Sequence, residues 1–359
     1  MNTEKLRQLS GSLVIRPGHT PSIVGSRPTL AGHLLRGHPA SAAPGYLAML
    51  YSLCGRAHRM TAQLAVQAAR DGNVSFTQET WRSLHEETRR EHLHRIILDW
   101  PRWLGQPRPD TTDLREWTLN PGETLARWLG IPLREWLAQW QEDPRQALLD
   151  WTRRSDHWLA TLFGNCREDA DTVRIAVNPL ICTEDPAAIL GIAEQLNNDA
   201  GFTRYPELYG TARETGCWTR HSHSTPAHID SAWLRLGARV AELALLSLDE
   251  APFLRLGTMP LGDGRALAWS ETARGLLIHH ISLEGEAHTT RIADYQVIAP
   301  TEWNLHPQGS LSTALSALPI DTPDSRRRAS VLMAAFDPCI AFELEPLPEG
   351  ARMKDSCMK

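Results

Sequence analysis

Cys54-Gly55-Arg56-Ala57-His58 sets a thiol and an imidazole four residues apart, a spacing that shares one face of a helix and can bind a metal. The plainer reading of the same segment is a buried cysteine packed as a small apolar side chain beside a surface histidine. Near the other end of the chain, Asp337-Pro338-Cys339 puts a proline directly before a thiol, which fixes the backbone and can present a thiolate rigidly. Cys339-Ile340-Ala341-Phe342 has the length of a CxxC with its second thiol missing, and half of that motif binds no zinc alone. Histidines cluster at His92 and His94, at His221, His223 and His228, and at His279 and His280. None of these spacings is a metal signature, and neighbouring histidines on a strand face opposite ways, so structural or solvent-facing roles are the plain expectation. No phosphate-cradling glycine loop, nucleophile elbow or HExxH helix occurs.

These residues need elements to hold them. Residues 11–45 are rich in Gly, Pro, Ser and His and read as short strands and loops. From Tyr46 the apolar residues Leu47, Leu50, Leu53, Met60, Leu64 and Ala68 recur at helical spacing around Cys54. Further Trp-punctuated helices are expected over 78–100 and 121–163, interrupted at Pro101, Pro121, Pro132 and Pro144, and another near Pro186. The clearest helix covers 231–246: Trp233, Leu236, Val240 and Leu243 line one face, Arg235, Arg239 and Glu242 the other, and Asp230 stands at the N-cap. Residues 276–297 read as a β-hairpin turning at Glu284-Gly285-Glu286. Residues 318–328 read as a loop into a last helix, Ala329 to Phe336, and 346–359 as a polar tail. The fold class is therefore α+β, mostly α-helical, with a small antiparallel component and no obvious linker.

Composition narrows the function classes. With 42% hydrophobic and 22% charged residues the chain is globular, and 359 residues are enough for a sizeable core. A net charge of −5 leaves no basic excess for a phosphate backbone, so no nucleic-acid partner is expected. Thirteen tryptophans point to a Trp-rich helical core rather than an aromatic binding surface. The six cysteines are scattered, unlike a secreted disulfide framework. The first ten residues have no apolar core and no long uncharged apolar stretch occurs, so a cytoplasmic protein without signal peptide or membrane span is expected.

Four segments, taken in order, carry the reading further. Arg36-Gly37-His38-Pro39, then Leu53-Cys54-Gly55 and the helix to Ala69, come first. Glu214-Thr215-Gly216-Cys217-Trp218-Thr219-Arg220 follows. Next come Glu271-Thr272-Ala273-Arg274-Gly275 with His279, Tyr295-Gln296-Val297, and Pro300-Thr301-Glu302-Trp303-Asn304-Leu305-His306-Pro307. Asp337-Pro338-Cys339 is last. This series resembles the nickel–iron hydrogenase large subunit: its Arg-Gly-Arg-x-Pro and RICGxC, its ETGPLAR, its EAPRGxxxH, YQ and PTTWNxxPR, and its DPCxxCxxH. The resemblance implies a large-subunit-like helical core over residues 1–345, with 346–359 as the tail.

The departures matter as much. In the family two CxxC pairs hold nickel and iron; each first cysteine is a terminal nickel ligand and each second one bridges to the iron. Here Cys54 and Cys339 match the first members, while Ala57 and Phe342 stand where the bridging sulfurs belong. Soft thiolates are what these metals require, so a working bimetallic centre is not expected. Ser52 replaces the RICG arginine and Ala273 the PRG proline. Glu345 replaces the histidine at the family's processing site, so no endoproteolytic maturation is expected, and a loose match at Gly18-His19 has Pro17 in place of a proton-relay glutamate. What remains are matches to the wall around the family's iron: Arg274 to an arginine over the diatomic ligands, and Pro300 and Thr301 to residues touching a cyanide.

Taken together, the pattern resembles the non-catalytic HupK/HoxV-type accessory proteins. It implies a scaffold or chaperone, not an enzyme, for assembling or delivering the Fe(CN)2CO part of the hydrogenase site. Cys54 and Cys339 would be transient iron ligands and Arg274, Pro300 and Thr301 would line the cyanide side, with no stably bound cofactor and no nickel. Implied partners are the hydrogenase large-subunit precursor, HypC/HupF-type chaperones and other maturation proteins. Two alternatives stand beside it: a metal-free docking module for maturation chaperones or hydrogenase subunits, and a divergent hydrogenase that recruits a ligand such as His58.

Overall fold

The computed structural model of the chain describes residues 11–51, 54–72, 74–109, 116–117, 119–220, 229–248, 254–285 and 290–346. Ser52, Leu53, the His221, His223 and His228 cluster, Cys357 and the tail beyond Pro346 lie outside the described residues.

The chain begins with β1 (Ser12–Ile15) and β2 (Ile23–Ser26) and two short helices, α1 (Ala31–Leu35) and α2 (Ala43–Leu50). Two long helices follow, α3 (Gly55–Asp71) and α4 (Gln78–His94), the latter running through a π turn (Arg95–Asp99) into α5 (Trp100–Trp103). Then come α6 (Pro121–Leu129), α7 (Leu133–Glu142), α8 (Pro144–Arg154), α9 (Trp158–Asp171) and α10 (Pro186–Asn198). Pro121 and Pro144 stand at the first helical position and Pro132 at the N-cap, places where a missing N–H costs nothing, so these prolines start helices. A small ladder, β3 (Glu207–Leu208) with β4 (Thr211–Ala212), and the turn α11 (Cys217–Arg220) lead to the central helix α12 (Ala232–Ser247). The rest is a four-stranded antiparallel sheet, β5 (Leu256–Gly262), β6 (Arg265–Thr272), β7 (Gly275–Glu284) and β8 (Arg291–Ile298), then α13 (Pro300–Asn304), α14 (Ser310–Ser316), α15 (Pro323–Phe336) and β9 (Ala341–Leu344). Strand β9 returns to pair parallel with β1, so the two ends of the described chain share one three-stranded sheet, β2-β1-β9.

Helix α12 is the hub of the helical core. Trp233, Leu236, Val240 and Leu243 are fully buried against the tryptophans of α6 to α8, including Trp128, Trp136 and Trp151. Trp233 Nε1 donates to Phe163 O at 3.0 Å and Trp151 Nε1 to Trp128 O at 3.2 Å, so these two rings enter the core with their polar edges satisfied.

Several expectations need correction. The N-cap of α12 is Ser231, which accepts from Leu234 N, while Asp230 faces Arg145 and Arg174. Arg235, Arg239 and Glu242, on the face opposite the apolar stripe, are buried as well, because each meets an opposite charge from another element. The expected hairpin is the second half of a four-stranded sheet, since residues 256–272 add β5 and β6. The last helix starts at Pro323, so Arg326, Arg327 and Arg328 are helical, with Thr322 capping Ser325 N. The helical pattern around Cys54 is broken: α2 ends at Leu50 and α3 starts at Gly55, where an added Cβ would come within 2.8 Å of Ala48 O. Cys54 itself is the N-cap of α3.

Candidate metal-fragment site

The two cysteines singled out in the sequence come from opposite ends of the chain to one place. Burial and the neighbouring Cys339 push the Cys54 thiol well up, while Arg274 and Arg27 pull it down, so the second thiol and both guanidiniums act on Cys54. Among the described residues Cys54 and Cys339 are half-buried, while Cys166, Cys182 and Cys217 are enclosed. The last three are inert packing residues whose thiols burial pushes up to about 12.

Cys339 is the better defined of the pair. Asp337 is the C-cap of α15 in the left-handed region (φ 48°), and Pro338 then sets the direction of the chain. Thr301 Oγ1 accepts the Cys339 N–H at 3.3 Å and lies 2.9 Å from its Sγ, leaving its own proton to donate to the sulfur. Arg27 Nη1 donates to the same sulfur at 3.2 Å, and its Nε and Nη2 fork onto Glu302 Oε1 at 3.1 and 2.7 Å. Arg27 and Thr301 also line a cavity of about 710 Å³, with Tyr51, Tyr295, Glu302 and Ile340 on the same wall. Sequence reasoning does not find Arg27: it follows β2 in a segment without motif, and only its contact with Cys339 gives it away.

Cys54 is fixed by what surrounds the start of α3. Its side chain caps nothing; the Glu87 carboxylate does that work instead, accepting from Arg56 N at 2.8 Å and Ala57 N at 2.6 Å. His58 does share the Cys54 end of the helix, yet its Nδ1 is committed to His279 Nε2 at 3.0 Å, and His279 Nδ1 to Tyr295 Oη at 2.7 Å. Tyr51 stacks on the His58 ring at 3.9 Å. Burial lowers both histidines, His279 to about 3, so this chain of rings is neutral.

Arg274 is buried, with Nη2 3.2 Å from Glu91 Oε2 and Nε 3.4 Å from Asp337 Oδ2. Its Nη1 has no hydrogen-bond partner among the described residues. A buried guanidinium donor that the described residues leave unbonded suits an anionic ligand. Asp337 serves three arginines at once, with Arg95 Nε at 2.6 Å and Arg239 Nη1 at 3.2 Å. Despite burial, Arg274, Arg95 and Arg239 hold its carboxyl below the usual range.

The remaining motif residues are structural links. Asn304 clasps the Thr215 backbone, accepting from its N–H at 2.9 Å and donating to its C=O at 2.8 Å. Glu214 forks with Arg235 at 2.7 and 2.9 Å. Arg220 forks with Glu242, which also accepts from His92 Nε2 at 2.6 Å. Gly275 takes φ +127°, where a side chain would strike Thr215. Pro300 is buried at the start of α13.

Phe342 and Ala57 are the residues that the resemblance sets at the places of the bridging sulfurs. Phe342 is packed in β9 against Trp103, with ring centroids 5.4 Å apart, and Ala57 is buried in a small apolar cluster. Glu345 pairs with Arg16 and donates its N–H to Ile15 O; His19 Nδ1 lies 3.1 Å from Pro17 O. Among the described residues no three His, Cys, Asp or Glu side chains are grouped to hold a metal ion. Two thiols are half of a tetrahedral set, so anything held here must bring further ligands of its own. No helix among the described residues is long and apolar enough to cross a membrane.

The chain has the hydrogenase large-subunit fold: it superposes on the Ni-Fe-Se hydrogenase of D. vulgaris Hildenborough with TM-score 0.55, covering 88% of this chain and 92% of that one at 14% identity. The family model for nickel-dependent hydrogenases matches residues 222–343. Over almost its whole length the chain is similar to the hydrogenase expression/formation protein HoxV of Cupriavidus necator, 39% identical over 94% of this chain and 96% of that protein. The HupK protein of Rhizobium leguminosarum bv. viciae, also a hydrogenase expression/formation protein, is 28% identical over 90% and 91%. The chain belongs to the HoxV/HupK family of hydrogenase expression/formation proteins, a branch built on the large-subunit fold.

Proposed function

We propose that this protein is an accessory scaffold of hydrogenase maturation that transiently holds the Fe(CN)2CO part of the active site and passes it on. The relatives' role in hydrogenase expression and formation supports the maturation setting. The observation that carries the finer reading is the pairing of two half-buried thiols, Cys54 and Cys339, with Arg274, whose buried Nη1 is unspent.

The donor set fits the cargo. Low-spin iron takes soft thiolates, and a fragment arriving with three diatomic ligands needs few protein ligands. A cyanide nitrogen is a hydrogen-bond acceptor, which Arg274 Nη1 can serve with charge assistance. Pro300 and Thr301 would close the cyanide side. Two thiols without bridging sulfurs hold less firmly than four, as suits a carrier that must release. The protein is then not a hydrogenase, binds no nickel, and works in a reducing cytoplasm with the large-subunit precursor and HypC/HupF-type chaperones.

The deciding experiment is infrared spectroscopy with iron and nickel analysis on protein purified anaerobically from its native host. Cyanide and carbonyl bands with iron and without nickel are expected, and their loss in the Cys54→Ala, Cys339→Ala double variant. Absence of bands and metal, with normal hydrogenase maturation in the double variant, would overturn the carrier and leave a docking module.

A further inference from the structure

Helix α4 carries no motif, yet it and the turn that continues it reach the surroundings of Cys54, Arg274 and Cys339. Glu87 caps the helix that starts after Cys54, through Arg56 N and Ala57 N. Glu91, one turn on, holds Arg274 at 3.2 Å. Arg95, a further turn on, holds Asp337 at 2.6 Å, two residues before Cys339. The spacing of four and four puts the three on one face, spanning about 12 Å at 1.5 Å per residue. His92, between them, is bonded to Glu242 and Arg239 and ties the same helix to α12.

The register is adjusted where it matters. At Arg95 the helix widens into the π turn, Trp100 N bonding Arg95 O, and Arg95 Nη1 is braced by Asp99 Oδ2 at 2.5 Å. A single widened turn swings the following side chains around the axis and recurs at functional sites. All three contacts are charged and largely enclosed, the side chains of Glu91 and Arg95 each being 11% exposed, so water does not compete for them.

We propose that Glu87, Glu91 and Arg95 are positioning residues: spaced along one helix, they fix Cys54, Arg274 and Cys339 relative to one another so that both thiols address a single atom. This rests on the scaffold reading for its purpose, but its geometry can be tested without iron.

The test uses the metal-free, full-length chain carrying Cys357→Ser, treated with a short bis-maleimide under native conditions. Peptide mass analysis then reads the Cys54–Cys339 bridge, and a monofunctional maleimide reads each thiol alone. Glu87→Gln, Glu91→Gln and Arg95→Gln are each expected to lower bridging at least tenfold while single-thiol labelling stays within about threefold. Arg95→Lys, which keeps the charge on Asp337, is expected to restore bridging, and Glu91→Asp serves where Glu91→Gln does not fold. Glu214→Gln breaks a comparable buried pair with Arg235, neither of whose side chains is bonded to a thiol, and is expected to lower the melting temperature without changing bridging. Unchanged bridging in the three variants, a loss that merely follows the melting temperature as in Glu214→Gln, or no bridge in the parent, would overturn the proposal. Intact bridging in a protein that never shows cyanide or carbonyl bands would instead overturn the carrier reading and leave the positioning helix standing.

Discussion

Arg274 Nε lies 3.4 Å from Asp337 Oδ2, so the guanidinium that acts on the Cys54 thiol is held by the carboxylate two residues before Cys339. Arg95 and Arg239 lean on the same group. Removing its charge leaves three enclosed guanidiniums short of an anion. Asp337→Asn is expected to cost about 3–5 kcal/mol, the usual range for breaking a buried ion pair from one side. Urea unfolding reads it directly, and wild-type stability in the variant would sink the idea of a hub. The pH dependence has a definite sign: the folded carboxyl is held low, so its contribution is complete above about pH 4, the unfolded value, and disappears as pH falls through the lower folded one.

His92 gives the fold a second acid sensitivity, at higher pH. Its Nδ1 accepts from Arg239 and its Nε2 donates to Glu242, which fixes a neutral tautomer, and burial lowers it to about 4. An unfolded histidine takes up its proton near pH 6.5, so stability is whole above that value and declines between 6.5 and 4. The loss from this one group is on the order of 2–3 kcal/mol. Glutamine can reproduce both hydrogen bonds without titrating. His92→Gln should therefore flatten the pH profile of unfolding between pH 6.5 and 4, and an unchanged slope would show that His92 is not its source.

What is legible in the sequence, and what is not, follows the range of the interactions. The Trp233, Leu236, Val240, Leu243 stripe announces α12 because helical spacing is local. Arg235, Arg239 and Glu242 read only as the opposite face, because nothing local reveals Glu214, Asp337 or Arg220 waiting for them. Cys54, Cys339, Arg274, Pro300 and Thr301 are legible through ordered motifs. Arg27 and Glu87 are not: one stands after a short strand, the other in a charged helix, and each acquires meaning only from a partner 312 or 30 residues away. The helix break before Gly55 is hidden for the same reason, since the crowding of Gly55 against Ala48 O is a packing event.

Arg235 shows why a buried charge of this kind resists conservative exchange. Its guanidinium forks onto Glu214 and lies against the rings of both Trp218 and Phe336, 4.8 and 4.6 Å from their centroids. Lysine keeps the charge and loses both the fork and the flat stacking surface. Arg235→Lys is expected to cost about 2–4 kcal/mol in urea unfolding, from the lost hydrogen bond and two weakened cation–π contacts. A change below about 0.5 kcal/mol would mean that charge alone holds this joint.

The cysteines should separate by reactivity in the native state. Cys166, Cys182 and Cys217 are enclosed, with thiols pushed up to about 12, so a maleimide should reach them only through unfolding. Cys54 and Cys339 keep an opening to solvent and should label without it. They should differ from each other as well. The Cys54 thiol is held protonated by burial and by its neighbour, so its labelling should be slow at pH 7 and climb about tenfold per pH unit, because the thiolate is the nucleophile. Cys339→Ala removes one cause of that upward shift and should speed Cys54 labelling at pH 7, while replacing any of the three enclosed cysteines should leave it unchanged. If Cys54 labels at the same rate with and without Cys339, the two thiols do not sense each other, and a site that uses both of them is ruled out.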